Sequence, residues 1–229
     1  RARGVVIVAA AGNENAAPTR PAKCAGVIGV AALNRNGLKA TYSNFGPRLT
    51  VATVGGDNHE PGDDRWAQVA DSGLRTVSNN GQTTPGPSSY DNYFGTSFST
   101  PVVAGAISLM LSQNPALTAD QIEQGLRASA RPHVTSSVPG VDDCSNANPG
   151  RCRCTPTTCG AGILDVDEAV RYASDPQSFT ALNRLPAQID TPALRQAAAG
   201  GPDRPANPTP PPSGNGGNGD GGGGGAMSA

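Results

Sequence analysis

Two short stretches carry side chains whose types and spacing could do chemistry. The first is Gly95-Thr96-Ser97-Phe98-Ser99-Thr100-Pro101. Glycine permits a tight backbone approach, and proline suits the first turn of a helix, where a missing N–H costs little. A serine at such a helix start lies among unpaired N–H groups and in the positive end of the helix dipole, which favours negative charge building on a substrate oxygen. An isolated Gly-x-Ser is more often just a helix cap. The second stretch is Ala9-Ala10-Ala11-Gly12-Asn13-Glu14. Asn13 follows an apolar run that reads as a parallel strand, so it falls at the carboxyl end, where ligands gather in open α/β sheets. Taken by itself, Asn13 reads as a turn residue after Gly12.

The elements that must position these residues follow from pattern. Val5-Val6-Ile7-Val8 is a continuous apolar run of the kind found in strands buried on both faces, and Gly26 to Ala32 is a second. Asn34-Arg35-Asn36-Gly37 is a turn. From Phe98 to Leu111 the residues are apolar or small on every side, which predicts a core helix too short to span a membrane. Thr118-Ala119-Asp120-Gln121 is a capping box opening a surface helix over 118–130, with Ile122 and Leu126 on its apolar face. Asp165 and Glu168 cap a further helix after the turn Gly160-Ala161-Gly162.

Taken together, the two chemical stretches resemble the nucleophile and oxyanion-hole motifs of the subtilisin-like serine peptidases (subtilases), in the order that family uses. Tyr42-Ser43-Asn44-Phe45-Gly46 followed by Leu49-Thr50-Val51-Ala52 resembles the family's segment leading to another core strand, and the segment from Gly160 to Asp165 is similar to one that ends many of its domains. Where the family usually has Ala-Pro-Gly, this chain has Val54-Gly55-Gly56, or Ala52-Thr53-Val54 if shifted, a departure that touches a structural turn and removes no catalytic group. The resemblance runs from Gly4 to about Ala173. It implies a three-layer α/β fold with a largely parallel sheet, incomplete in this fragment. It also implies a secreted serine endopeptidase acting on protein or peptide substrates. Ser97 would be the nucleophile, and the Asn13 amide with the Ser97 backbone N–H would be the oxyanion donors. Ala10, Ala11 and Gly12 would wall one side of the primary specificity pocket, with Glu14 near its rim.

The base is missing from this picture. In the family the Asp and His motifs come before the oxyanion Asn, and only twelve residues precede Asn13. His59 and His133 come too late in the chain for that role. Arg1 is not a natural start, so the chain reads as a fragment, inactive by itself, whose partner is the upstream part of its own peptidase domain. The alternative is a degenerate, non-catalytic domain with a binding or structural role. A lipase or esterase is disfavoured because position 99 is Ser where its elbow has Gly, and because its acid and His follow the serine.

Net charge is -1 over 229 residues, which gives no reason to expect nucleic acid or an anionic membrane as partner. Cys144, Cys152, Cys154 and Cys159 crowd into sixteen residues. Their spacing lacks paired C-x2-C knuckles, so disulfides in an oxidising, extracellular compartment are expected over zinc, with the pairing left open. Cys24 is the odd one, and the resemblance implies a partner for it upstream. Asp57 to Pro87 reads as a solvated surface loop. Its Asp57, His59, Asp63, Asp64 and Asp71 make calcium a candidate structural ion, but without regular ligand spacing. The expected organisation is a peptidase portion over 1–175, a linker or extension with room for a short helix over 176–199, and a Pro/Gly-rich flexible tail over 200–229. That tail is similar to the spacers before C-terminal surface anchors, implying a removed anchor and a cell-surface association.

Overall fold

The computed structural model describes residues 4–57, 69 and 71–199. Its centre is a three-stranded parallel sheet in the order β1-β2-β3, formed by Ile7–Ala10, Val27–Leu33 and Val51–Val54. Val8 lies opposite Ile28 across the first ladder, and Val30 opposite Val51 across the second. Parallel strands covered on both faces need apolar side chains pointing both ways, and β2 has them. Ile28 and Val30 face a helical layer, while Ala31 and Leu33 face the opposite side.

The helical layer is built on α1, Thr96–Gln113, which packs against all three strands. Val103, Ala106, Ile107 and Met110 form its buried stripe. Helices α2, Ala119–Ser129, and α3, Val166–Ser174, complete the cluster with Ile122, Leu126, Ala169 and Tyr172. Both caps expected from sequence are present. Thr118 Oγ1 accepts from Gln121 N–H while Gln121 Oε1 accepts from Thr118 N–H, and Asp165 accepts from Glu168 N–H. The sheet's other face is closed by chain rather than by a helix: Phe45, Leu49 and two disulfides, Cys144–Cys152 and Cys154–Cys159. Cys24 is unpaired and exposed. Helix α4, Pro192–Ala198, buries Leu194, Ala197 and Ala198 against Leu38, Val134, Val138 and Val141.

Two expectations are corrected. The stretch from Asp57 to Pro87 is not a loop throughout, because β4, Leu74–Asn79, pairs antiparallel with β5, Ser88–Tyr93. The hairpin is built largely from polar residues and exposes Val77 and Tyr90, so it gives no alternating apolar signal. His59, Asp63 and Asp64 of that stretch, and the tail from residue 200, lie outside the described residues. The second correction concerns α1. It is apolar or small all round yet buried on one side only, with Leu109 half exposed. Val5 and Ile7, at the β1 end of the sheet, are similarly exposed. Among the described residues, no helix is long and apolar enough to cross a membrane.

Candidate active site

Strand β1 ends at Ala10, and Ala11 N–H still donates to Val30 O, so the chain stays extended until Gly12 turns it. Gly12 has φ 109°, a conformation that favours glycine. The turn brings Asn13 beside the start of α1. There, Thr96 N–H donates to Asn13 Oδ1 at 3.0 Å and Thr96 Oγ1 donates to the same oxygen at 2.8 Å. Thr96 Oγ1 in turn accepts from Gly12 N–H at 3.3 Å. Two donors on Oδ1 fix the rotation of the amide, so Nδ2 is the end left for a ligand.

Ser97 is exposed on the first turn of α1, two residues after the N-cap Gly95. No side chain caps this helix and no acid sits in its first turn. The first turn itself therefore brings no carboxylate to the positive end of the dipole. Gly95 has φ 145°, and its missing side chain leaves a space at the site. A Cβ there would lie 3.5 Å from Asn13 Nδ2 and 3.8 Å from Ser97 N. Asn13 Nδ2 and the Ser97 backbone nitrogen, from segments more than eighty residues apart, thus both border the open space at Gly95. Two donors so placed can meet negative charge that develops on a bound oxygen.

The surroundings are stiffened by aromatic contacts. Phe98 stacks on Tyr93 with ring centroids 5.2 Å apart, and Tyr42 packs on Phe94 at 5.7 Å. The Tyr42 hydroxyl donates to Gly55 O and Gly56 O and accepts from Gly95 N–H at 2.8 Å. Burial, with the Asp57 charge second, pushes the Tyr42 phenol far above its ordinary range, so it stays a neutral donor. Of the expected pocket wall, Ala11 is fully buried while Ala10 and Gly12 are half-buried. Glu14 turns back to accept from Asn44 Nδ2 at 2.6 Å.

His133 stands apart from this cluster in its bonding. It is buried, with Nε2 against Gly160 O at 3.0 Å, and burial lowers its pKa below the usual histidine value. The oxygens of Asp57 and Asp71 are engaged by protein donors, namely Arg151, Thr41, Gly73 and the backbone of Arg35 and Asp57. This pair does not fit a calcium cage. Among the described residues, the one close group of three or more potential metal ligands is Cys144, Cys154 and Cys159, all in disulfides. Sequence reasoning missed Tyr42, Asn44 and the double role of Thr96. A Tyr-Ser-Asn run beside a strand was the available signal, but its partners lie tens of residues away.

Comparison with known proteins bears on this geometry. Residues 1–159 match the family model of the subtilase (S8) peptidases. The chain is 38% identical over 174 residues to an extracellular protease of Xanthomonas campestris, covering 75% of this chain and 24% of that protein. It is 34% identical over 132 residues to subtilisin NAT of Bacillus subtilis subsp. natto, covering 56% of this chain and 29% of that one. A solved protease of Pseudoalteromonas arctica superimposes with a TM-score of 0.60 at 35% identity, over 76% of this chain and 44% of that structure. The chain therefore spans less than half the length of each of these relatives. With its parallel sheet and its helix-borne serine, the chain has an α/β subtilisin-like fold and belongs to the subtilase family of serine peptidases.

Proposed function

We propose that the protein of which this chain is part is a secreted serine endopeptidase, with Ser97 as nucleophile and Asn13 as an oxyanion donor. The observation that supports the reading is that Asn13 Nδ2 and Ser97 N both border the open space at Gly95, with Asn13 Oδ1 held by Thr96. Ser97 Oγ attacks the peptide carbonyl carbon and its proton passes to a general base. The carbonyl oxygen, now negative, is held by the two N–H donors. The C–N bond then breaks, the amine leaves with the base's proton, and water hydrolyses the acyl-enzyme by the same steps in reverse roles. The base and its orienting carboxylate come from outside these 229 residues, in the upstream part of the domain. The chain by itself therefore lacks turnover. Ala10, Ala11 and Gly12 form part of the wall against which the substrate side chain lies. Two buried disulfides support an oxidising destination.

A fluorophosphonate probe tests this directly. The complete natural protein should be labelled, and Ser97→Ala should abolish the label. A folded wild-type protein that takes no label would instead favour a non-catalytic binding or structural role.

A further inference from the structure

Residues 39–45 lie between the two halves of the site and touch both. On one side, Asn44 N–H donates to Gly12 O, and its side chain holds the loop around Asn13 at four points. Asn44 Oδ1 accepts from Glu14 N–H at 3.0 Å and from Ala16 N–H at 2.9 Å, and Nδ2 donates to Ala11 O at 3.0 Å and to Glu14 Oε2. On the other side, the Tyr42 hydroxyl accepts from the N–H of Gly95, two residues before Ser97. Tyr42 O also accepts from Asn15 N–H at 2.8 Å.

The segment is wound around a charge. Lys39 has no exposed surface, and its ammonium lies 3.0 Å from Asn15 Oδ1, 2.8 Å from Ala40 O, 3.2 Å from Thr41 O and 2.9 Å from Ser43 O. The face of Phe45 lies 5.3 Å away. A ring of carbonyl dipoles around one cation is how proteins coordinate a metal ion, and here a side chain supplies the cation. An uncharged residue would leave those oxygens buried without donors, which costs more than the bonds themselves contribute. The segment is also anchored from behind. Lys39 N–H donates to Cys152 O, and Thr41 donates twice to Asp57, which is paired with Arg151.

We infer that Lys39–Phe45 is a positioning strap that sets the distance between the Asn13 amide and Ser97, with the Lys39 ammonium as its internal cation. Tyr42 and Asn44 are positioning residues, acting through Gly95 and through the Asn13 loop. The inference rests on the catalytic reading above for its consequence, but the coupling itself is structural. Misplacing a catalytic group by about 1 Å costs about 10²-fold in rate, so loosening the strap lowers turnover without emptying the substrate site.

The test uses the complete natural protein with Tyr42→Phe and Lys39→Ala, read by peptide hydrolysis and by hydrogen exchange. Tyr42→Phe keeps the ring and removes the hydroxyl. Its kcat should fall about 10- to 100-fold with KM within about twofold. Exchange should quicken together in 12–16 and 94–98, although the substitution lies in neither. Lys39→Ala should show the same paired loss, reversed by n-propylammonium chloride and not by sodium chloride at equal ionic strength. If Lys39→Ala does not fold, Tyr42→Phe decides. A Tyr42→Phe enzyme with wild-type kcat, or faster exchange confined to 39–45, overturns the strap. So does rescue by sodium chloride as strong as by the amine. Failure of wild-type protein to take a fluorophosphonate label overturns the catalytic reading, and the exchange arm, which needs no turnover, then judges the strap separately.

Discussion

Arg151 Nε donates to Asp57 Oδ2 at 2.6 Å, and neither side chain has more than a trace of contact with solvent. The pair joins the Cys144–Cys152 loop to the segment leading out of β3, ninety-four residues away in sequence. Burial is the largest influence on the Asp57 carboxyl and raises its pKa, while Arg151 and the Thr41 hydrogen bonds pull the other way.

Removing one partner of a buried pair leaves a charge without compensation, so Arg151→Met should cost about 3–5 kcal/mol of stability in denaturant titrations. Adding Asp57→Asn to that variant should recover much of the loss. The pH dependence has a definite sign. Asp57 holds its proton to higher pH in the folded state than its ordinary 3.8, so the folded state binds more protons in that window and stability falls as pH rises through it. Without Arg151 the window widens, and the deficit of Arg151→Met relative to wild type should grow as pH climbs.

If Asn13 is an oxyanion donor, as proposed, Asn13→Ala in the complete protein should lower kcat with little change in KM, because that role is used when the oxygen becomes negative. The scale to expect is about 10²–10³, the range known from removing such an amide in subtilisin, a relative of this chain. Thr96→Val keeps the backbone donor but loses the hydroxyl that bonds Asn13 and accepts from Gly12. Of the two bonds lost, only the one to Asn13 orients the amide; at about 1–1.5 kcal/mol it predicts about a tenfold loss. Equal effects on kcat from both variants would show that Nδ2 contributes no more than its tether.

His133 gives a separate handle on acid stability. Burial lowers its pKa from the ordinary 6.5, opposed by the Gly160 carbonyl, and its buried Nδ1 has no partner among the described residues. Below 6.5 the unfolded chain takes up a proton that folded His133 refuses, so stability falls with pH until the lowered value is passed. His133→Gln, which retains a polar atom to meet Gly160 O, should flatten that part of the stability curve. An unchanged slope between wild type and variant would show that another group controls it.

Gly125 sits inside α2, where glycine is a poor helix former by about 1 kcal/mol relative to alanine. Yet Gly125→Ala should destabilise. An added Cβ would run into the ring of Tyr172, which is buried, and lie 2.9 Å from Met110 Cε. Overpacking of this kind costs about 1–3 kcal/mol, more than the propensity gain. A midpoint shift toward higher denaturant would contradict the tight α2–α3 contact.

Features with a local origin could be read from the chain. The strands around Val8 and Ile28, the helix carrying Ser97, the Thr118 cap and the Asp165 cap each depend on neighbours in sequence and are where periodicity or capping chemistry puts them, while the strand at Val51 followed from the resemblance alone. The crowded cysteines could be read as disulfides, but not as Cys144–Cys152 and Cys154–Cys159, since pairing depends on the fold. The β4–β5 hairpin escaped because few of its side chains are buried. It is held by backbone pairing, the Tyr93–Phe98 stack and a Ser78–Tyr93 hydrogen bond. Lys39 and Asp57 escaped for the opposite reason. Charged side chains read as surface, and only the assembled partners explain their burial. At the site, Ser97 and Asn13 were legible because a motif marks them. Tyr42 and Asn44 have no mark of their own, and their use is visible only once Gly95 and Glu14 have been brought to them.

Helix α1 serves two ends at once, and this has a consequence for the ageing of the protein. Its exposed first turn presents Ser97, while Met110, further along the same helix, has no exposed surface. An oxidant can reach the Met110 sulfur only when the core opens, and the polar sulfoxide that forms would then resist reclosure. Oxidation at Met110 should therefore be slow while the core stays closed and should speed up under conditions that open it, in proportion to the open fraction when reclosing is fast.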